Sequence, residues 1–394
     1  MEAYALDWAQ LLIRWVHLIT GIAWIGASFY FVFLDLSLLP PKLAADAEAG
    51  VGGELWAVHG GGFYHVQKFK VAPAELPSPL HWFKWEAYWT WMSGMALLAV
   101  LYYLHADLYM IDRSVADLAP WQAVAISLAL LAGGWIGYDQ LCRRAGLHRD
   151  KLVAVVMIAF FALVAFGLSK LFSGRAMFIQ VGAMMGTLMA ANVLFVIMPS
   201  QRRLVEAKRQ GVPPDPVYGL RGKQRSVHNN YLTLPVLFVM ISNHYPLTFG
   251  HRHAWLVLVA ILLIAAYVRH FFNLRHVGRT VWAIPVTAGL ATLALAIVIA
   301  PVPPKAGAHS FAEVTRIVNA RCVPCHAAHP AQAGFNDPPK GLVLDTREAI
   351  LANAQKIGEQ AVASRAMPLG NLTGMTDDER GTLGAWLAAG ARPD

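Results

Sequence analysis

Eight stretches of the chain stay apolar long enough to approach or cross a hydrocarbon layer about 30 Å thick. They cover residues 9–34, 87–104, 120–138, 151–169, 177–198, 229–247, 254–274 and 280–300. Such segments are predicted to be helices, because only internal hydrogen bonds satisfy their backbone away from water. The sixth is the weakest, since Pro235 interrupts it and Ser242, Asn243 and His244 close it. The first has no basic segment before it and is too long for a cleavable leader. Past residue 309 the pattern changes to helical spacing near 311–321, 346–354, 357–364 and 376–390, the last opened by a capping box of Thr376 and Glu379. The predicted fold is all-α: a polytopic eight-helix transmembrane bundle over 1–300, a linker at 301–309 and a small helical domain at 310–394. One connection, 35–86, is too long for a plain loop and is expected to be functional.

Composition supports a membrane protein. The chain is 57% hydrophobic and 14% charged, with a mean hydropathy of +0.45, which excludes a single water-soluble domain and a disordered chain. Thirteen Trp and twelve Tyr suit two membrane–water interfaces. The formal charge is +8. Residues 305–394 hold nine Lys/Arg and nine Asp/Glu, so the excess lies in the apolar part, mostly in the connections after the first, third, fifth and seventh stretches. The positive-inside rule puts those connections in the cytoplasm and both termini outside. No basic stripe accompanies a readable nucleic-acid motif, so no nucleic-acid partner is expected.

The most specific motif is Cys322-Val-Pro-Cys325-His326, the attachment signature of c-type haem. Two thiols would form thioethers and the adjacent imidazole would be the proximal iron ligand. A thioredoxin-like pair lacks its βαβ setting, and a zinc site lacks a second ligand pair. The 310–394 segment then reads as a class I cytochrome c-like domain, an attachment made outside the cytoplasm, where loop charge had already put it. Met367 is the expected sixth ligand, with Met375 as its rival; a thioether opposite His raises the haem potential. Cys142, beside Arg143 and Arg144, reads as an ordinary small residue.

Polar residues inside apolar stretches are costly and point to function. Arg14 and His17 share a face with Gly21, so His17 is a candidate haem b ligand and Arg14 a partner for a propionate. His244 lies at the same outer level and is the candidate second ligand. His228, His270, Arg269, Asn273 and His276 gather at the inner level. In the 35–86 connection, His59-Gly-Gly-Gly-Phe-Tyr64-His65-Val-Gln67-Lys68 offers donors and general bases, and its glycines let backbone approach a ligand or simply turn the chain. No G-x-S-x-G elbow accompanies HGGG, which argues against a hydrolase.

The segments RWVHLITGIAWIGASFYFVFLD (14–35), WAVHGGGFYHVQKF (56–69), HWFKWEAYWTWMSG (81–94), GTLMAANVLFVIMPSQ (186–201), RSVHNNYLTLPVLFVMISNHYP (225–246) and YVRHFFNLRHVG (267–278) resemble the bacterial membrane-bound urate oxidases, or urate hydroxylases. The resemblance extends over essentially the whole chain. It implies an eight-helix membrane domain fused to a cytochrome c. It also implies oxidation of urate to 5-hydroxyisourate, with electrons leaving through haem c to a soluble cytochrome c or terminal oxidase instead of forming peroxide. An electron conduit and a dehydrogenase of quinol or another small molecule are the alternatives. The resemblance carries no residue roles, so the site expectations come from chemistry. Urate is a planar purine anion, for which a cationic, aromatic, donor-rich pocket is suited. His59, His65, His228 and His270 are the candidate proton acceptors; Tyr64, Gln67, Lys68, Arg269 and Asn273 are the candidate substrate contacts. A homo-oligomer is compatible with all of this.

Overall fold

The computed structural model describes residues 2–300 and 309–393; the expected linker, apart from His309, lies outside the described residues. The apolar part folds into long helices: α1 (Glu2–Ser37), α2 (Trp85–Leu98, continued by a π turn to Tyr103), α3 (Pro120–Ala145), α4 (Asp150–Leu168), α5 (Gly174–Arg209, with a π turn at Val193–Ile197), α6 (Pro216–Ser242), α7 (Ala254–His276) and α8 (Ala283–Val298). Among the described residues, five of these (α1, α3, α4, α5 and α7) are long and apolar enough to cross a membrane, and α8 is apolar but shorter. Exposed Leu12, Trp15, Ile19 and Ile22 on α1, Val155 and Leu163 on α4, and Leu290, Leu293 and Ile297 on α8 present an apolar exterior compatible with lipid.

α6 departs most from expectation. It starts at Pro216 rather than 229, because Asp215 caps it: its carboxylate accepts the Val217 N–H at 2.9 Å, and Pro216 suits the first helical position. Its polar first half is packed against α5 and α7, so its polar side chains must find partners inside the protein. α5 is the central helix. Met177, Met184, Met185 and Met189 are all at most 2% exposed, and a Cβ on Gly182 would stand 2.3 Å from Val239 of α6. This close approach fixes the α5–α6 contact.

The 35–86 connection corrects the all-α expectation. It contains an antiparallel hairpin, β1 (Val51–His59) and β2 (Gly62–Phe69), with His59 paired to Gly62. Gly60 (φ 58°) and Gly61 (φ 80°) form the two-residue turn. A right-twisted hairpin favours positive φ at both of those positions, which explains the glycine run.

The C-terminal part has its own core. α9 (Phe311–Arg321) and α10 (Asp377–Ala388) enclose Val314, Ile317, Leu344, Ile350 and Leu383. The Phe311 and Trp386 rings lie 5.8 Å apart. The capping box is present: Thr376 Oγ1 accepts the Glu379 N–H at 3.2 Å and Glu379 accepts the Thr376 N–H at 2.9 Å. This part rests against the segments that follow α2 and α6. A Cβ on Gly370 (φ 57°) would come within 2.9 Å of Leu108 O and 3.0 Å of Ile111 O. A Cβ on Gly250 would come closer still to Ser364 O.

Candidate functional site

At the opposite end of the bundle from this contact, α3, α5 and α6 build a buried polar centre around Tyr138. Its hydroxyl lies 2.8 Å from His228 Nδ1 and accepts from Asn192 Nδ2 at 3.1 Å. The Arg225 guanidinium lies over its ring at 4.8 Å. Asn192 Nδ2 also donates to Asn229 Oδ1 at 2.8 Å, and Asn229 Nδ2 donates to Met189 O at 3.0 Å. Asp139 accepts from Arg225 Nη2 at 2.8 Å and Arg143 Nε at 2.6 Å. His228 Nε2 faces the half-exposed Asp150 carboxylate at 3.7 Å, so Tyr138, His228 and Asp150 mark a route from the interior toward water. Three buried atoms here have no hydrogen-bond partner: Asn192 Oδ1, Arg225 Nη1 and His228 Nε2. Such atoms call for a ligand or water. Beside them lies a cavity of about 490 Å³, walled by Asp139, Cys142, Arg143, Arg203, Arg221 and Arg225 among others.

A second centre joins α1, α6 and α7. Asn230 Oδ1 accepts from Arg269 Nε at 2.5 Å, Asn230 Nδ2 donates to Asn273 Oδ1 at 3.0 Å, and the Arg269 guanidinium covers the Phe29 ring at 4.1 Å. Among the described residues, Arg269 Nη2 joins those three as a buried atom without a partner. Tyr231 Oη lies 2.8 Å from His270 Nδ1. Thus α6 serves both centres, with Asn229 on one and Asn230 on the other. The expected inner-level residues are divided accordingly: His228 belongs to the first centre, His270, Arg269 and Asn273 to the second. Sequence reasoning missed Tyr138, Asp139, Asn192, Asn229 and Arg225. The position of Asn192 within an apolar stretch was the available signal.

Among the described residues, no hydrogen bond or ion pair joins a hairpin side chain directly to either centre. His59 and Tyr64 are exposed, His65 stacks on Trp56 at 4.2 Å and Gln67 is half-buried. Lys68 pairs with Asp35, whose other oxygen is 3.7 Å from Lys223 of α6; this ties the hairpin to the helices. Glu54 sits below its ordinary value of 4.5 because His65 hydrogen-bonds its carboxylate at 2.8 Å and the Lys42 N–H does so at 3.1 Å. A carboxylate lowered by folding stabilises at pH above its unfolded value and loses that contribution as pH falls through its folded value. Hydrogen–deuterium exchange over 51–69 is therefore expected to be slow and flat with pH above about 5, after correction for the intrinsic exchange rate, and to quicken below it. Glu54→Gln should remove that dependence.

The candidate intramembrane ligands lie on α1 and just beyond the end of α6. His17 Nδ1 lies 3.0 Å from Thr90 O and 3.1 Å from Ser93 Oγ, in space left by Gly94. Arg14 is exposed, and His244 is exposed just beyond the end of α6. Among the described residues no hydrogen bond joins His17 to His244, and no group of three metal-ligating side chains occurs.

In the C-terminal part, Cys322 and Cys325 are free thiols at the end of α9, with the His326 N–H donating to Cys322 O at 2.9 Å. His326 Nδ1 lies 3.0 Å from Leu342 O. That bond orients the ring and leaves Nε2 for a ligand. Burial pushes the Cys322 thiol up to about 11 and raises Cys325 as well. Thiol–disulfide enzymes need the reverse, a lowered thiol. Half-buried Cys322, Val323, Leu342 and Met367 fringe the core, whereas Met375 is inside it at 3% exposure. Arg380 Nη1 donates to Met367 O at 2.7 Å. Two thiols, an oriented imidazole and an accessible thioether around an apolar margin suit a porphyrin iron.

No curated protein and no solved structure matches the chain. Residues 3–300, which include α1–α8, the hairpin and both polar centres, match the family described as urate oxidase N-terminal, and the chain belongs to that family.

Proposed function

We propose that this protein is a membrane-bound urate oxidase that converts urate and water to 5-hydroxyisourate, two protons and two electrons, and delivers the electrons to a soluble cytochrome c or terminal oxidase. The observation that carries this reading is the joining, in one chain, of the family match over 3–300 to a Cys-x-x-Cys-His turn with an oriented imidazole. Cys322, Cys325, His326 and Met367 would hold haem c, which supplies a one-electron acceptor. The protein's own groups handle the rest. Arginines neutralise the purine anion, and His228, between Tyr138 and Asp150, takes up protons and passes them toward water.

Substrate chemistry at the α3–α5–α6 centre and acceptor at the other end require a long transfer. From Arg225 to Ser242 alone, α6 rises about 25 Å. His17, with Nδ1 tied to Thr90 O and Nε2 free, is the residue suited to hold an intramembrane haem b. Urate added without oxygen to the oxidised protein is expected to develop the reduced haem α-band, two haem equivalents per urate consumed. If quinol develops the band and urate does not, the protein is an electron conduit or quinol dehydrogenase instead.

A further inference from the structure

We propose that the arginine-walled cavity between α3, α5 and α6 is the binding site for the substrate anion, with the free arm of Arg225 as its central contact. This rests on the urate reading above and adds the location, which neither the family match nor the motifs supply.

Three observations support it. First, Arg225 is only 4% exposed, yet Nη1 has no partner while Nη2 is held by Asp139 at 2.8 Å. A buried guanidinium bonded on one side and bare on the other is an anchored fork awaiting an acceptor. The Tyr138 ring beneath it, at 4.8 Å, and the Asp139 carboxylate fix its direction. Second, the charge of the wall is unbalanced. Arg143, Arg203, Arg221 and Arg225 face the cavity with Asp139 as the acidic member of the lining. Asp139 is already shared by Arg143 and Arg225, so the wall keeps net positive charge for a monoanion. Third, the space suits a fused-ring heterocycle: about 490 Å³, with the flat faces of Phe195 and Tyr218 in the lining. Arg203 is stacked on Tyr218 at 4.9 Å and Trp135 on one side of Phe195 at 5.9 Å, so the other side of the exposed Phe195 ring is what a ligand could cover. A planar anion bearing carbonyls along its edge uses all three features; a simple halide or an aliphatic amine uses none of them fully.

The cavity also adjoins the proton-accepting group. Cys142 lines it and lies 4.0 Å from His228 Nδ1. His228 is thus a neighbour of the bound anion through one side chain, without being part of the wall.

The test is equilibrium binding of urate to the full-length protein held reduced with dithionite, so that no turnover occurs. Arg225→Met alone leaves Asp139 short of a partner and risks misfolding, so it is paired with Asp139→Leu, which removes both charges together. Arg221→Ala, at an exposed position, serves as the variant that leaves the packing intact. Losing a hydrogen bond to a charged group is worth about 10- to 100-fold in affinity. The double variant is expected to lose at least that much, Arg221→Ala several-fold, and His59→Ala on the hairpin less than twofold. Unchanged affinity in both cavity variants, or loss confined to His59→Ala, in a protein whose wild type is still reduced by urate, overturns this site and leaves the function standing. A wild type that neither binds urate nor is reduced by it overturns both.

Discussion

A chain carrying Cys322→Ser and Cys325→Ser is expected to have the mass of the bare polypeptide and to show no urate-driven α-band. The physical reason is that serine hydroxyls do not form the thioethers to the porphyrin vinyls. What remains is His326, aimed by its bond to Leu342 O, and an axial imidazole alone does not keep a porphyrin in a crevice with so little surface around it. The apolar margin of Val323, Leu342 and Met367 would then be left open, so the C-terminal part should also melt earlier. Intact-protein mass spectrometry measures the first effect and stopped-flow spectrophotometry the second. A single Cys325→Ser chain should retain one attachment point and fall between. A doubly substituted chain that still carried covalent porphyrin would remove the motif from the mechanism.

The second large effect is expected at Asp139. It is the shared acceptor for Arg143 and Arg225 and is itself only 7% exposed. Asp139→Ala leaves Arg225 charged, buried and facing a cavity already rich in arginine. Removing one partner of such a pair costs about 3–5 kcal/mol, a large share of the roughly 5–15 kcal/mol by which folded domains are stable. Thermal unfolding in detergent, or the monodisperse fraction on size exclusion, should show the loss. Arg225→Met added to Asp139→Leu should recover most of it, because neither charge is then stranded. An Asp139→Ala chain as stable as the wild type would mean that water already solvates the guanidinium.

Parts of this were legible in the residues. The Cys-x-x-Cys-His motif and the Thr376–Glu379 box follow from short-range rules. His228, Arg269 and Asn273 stood out because polar groups in apolar stretches must be partnered. What could not be read was which partners they take: Tyr138 and His228 are 90 residues apart and Asn192 and Asn229 are 37 apart. α6 starts well before its apolar stretch for a specific reason. Arg221, Lys223 and Arg225 look like the charge of a cytoplasmic connection, yet they lie on its opening turns, and Arg225 is buried. The hairpin was readable in principle. Its signal is the Gly60–Gly61 turn between two runs rich in Val and aromatic residues, Trp56 and Val58 on one side and Phe63, Tyr64 and Val66 on the other.

Asn229 and Asn230 are consecutive, and one is bonded to α5 while the other is bonded to α7. Neighbouring residues of a helix cannot turn independently. A roll of this strut would therefore strain the bonds on both of its sides, so the two centres hold it in one orientation.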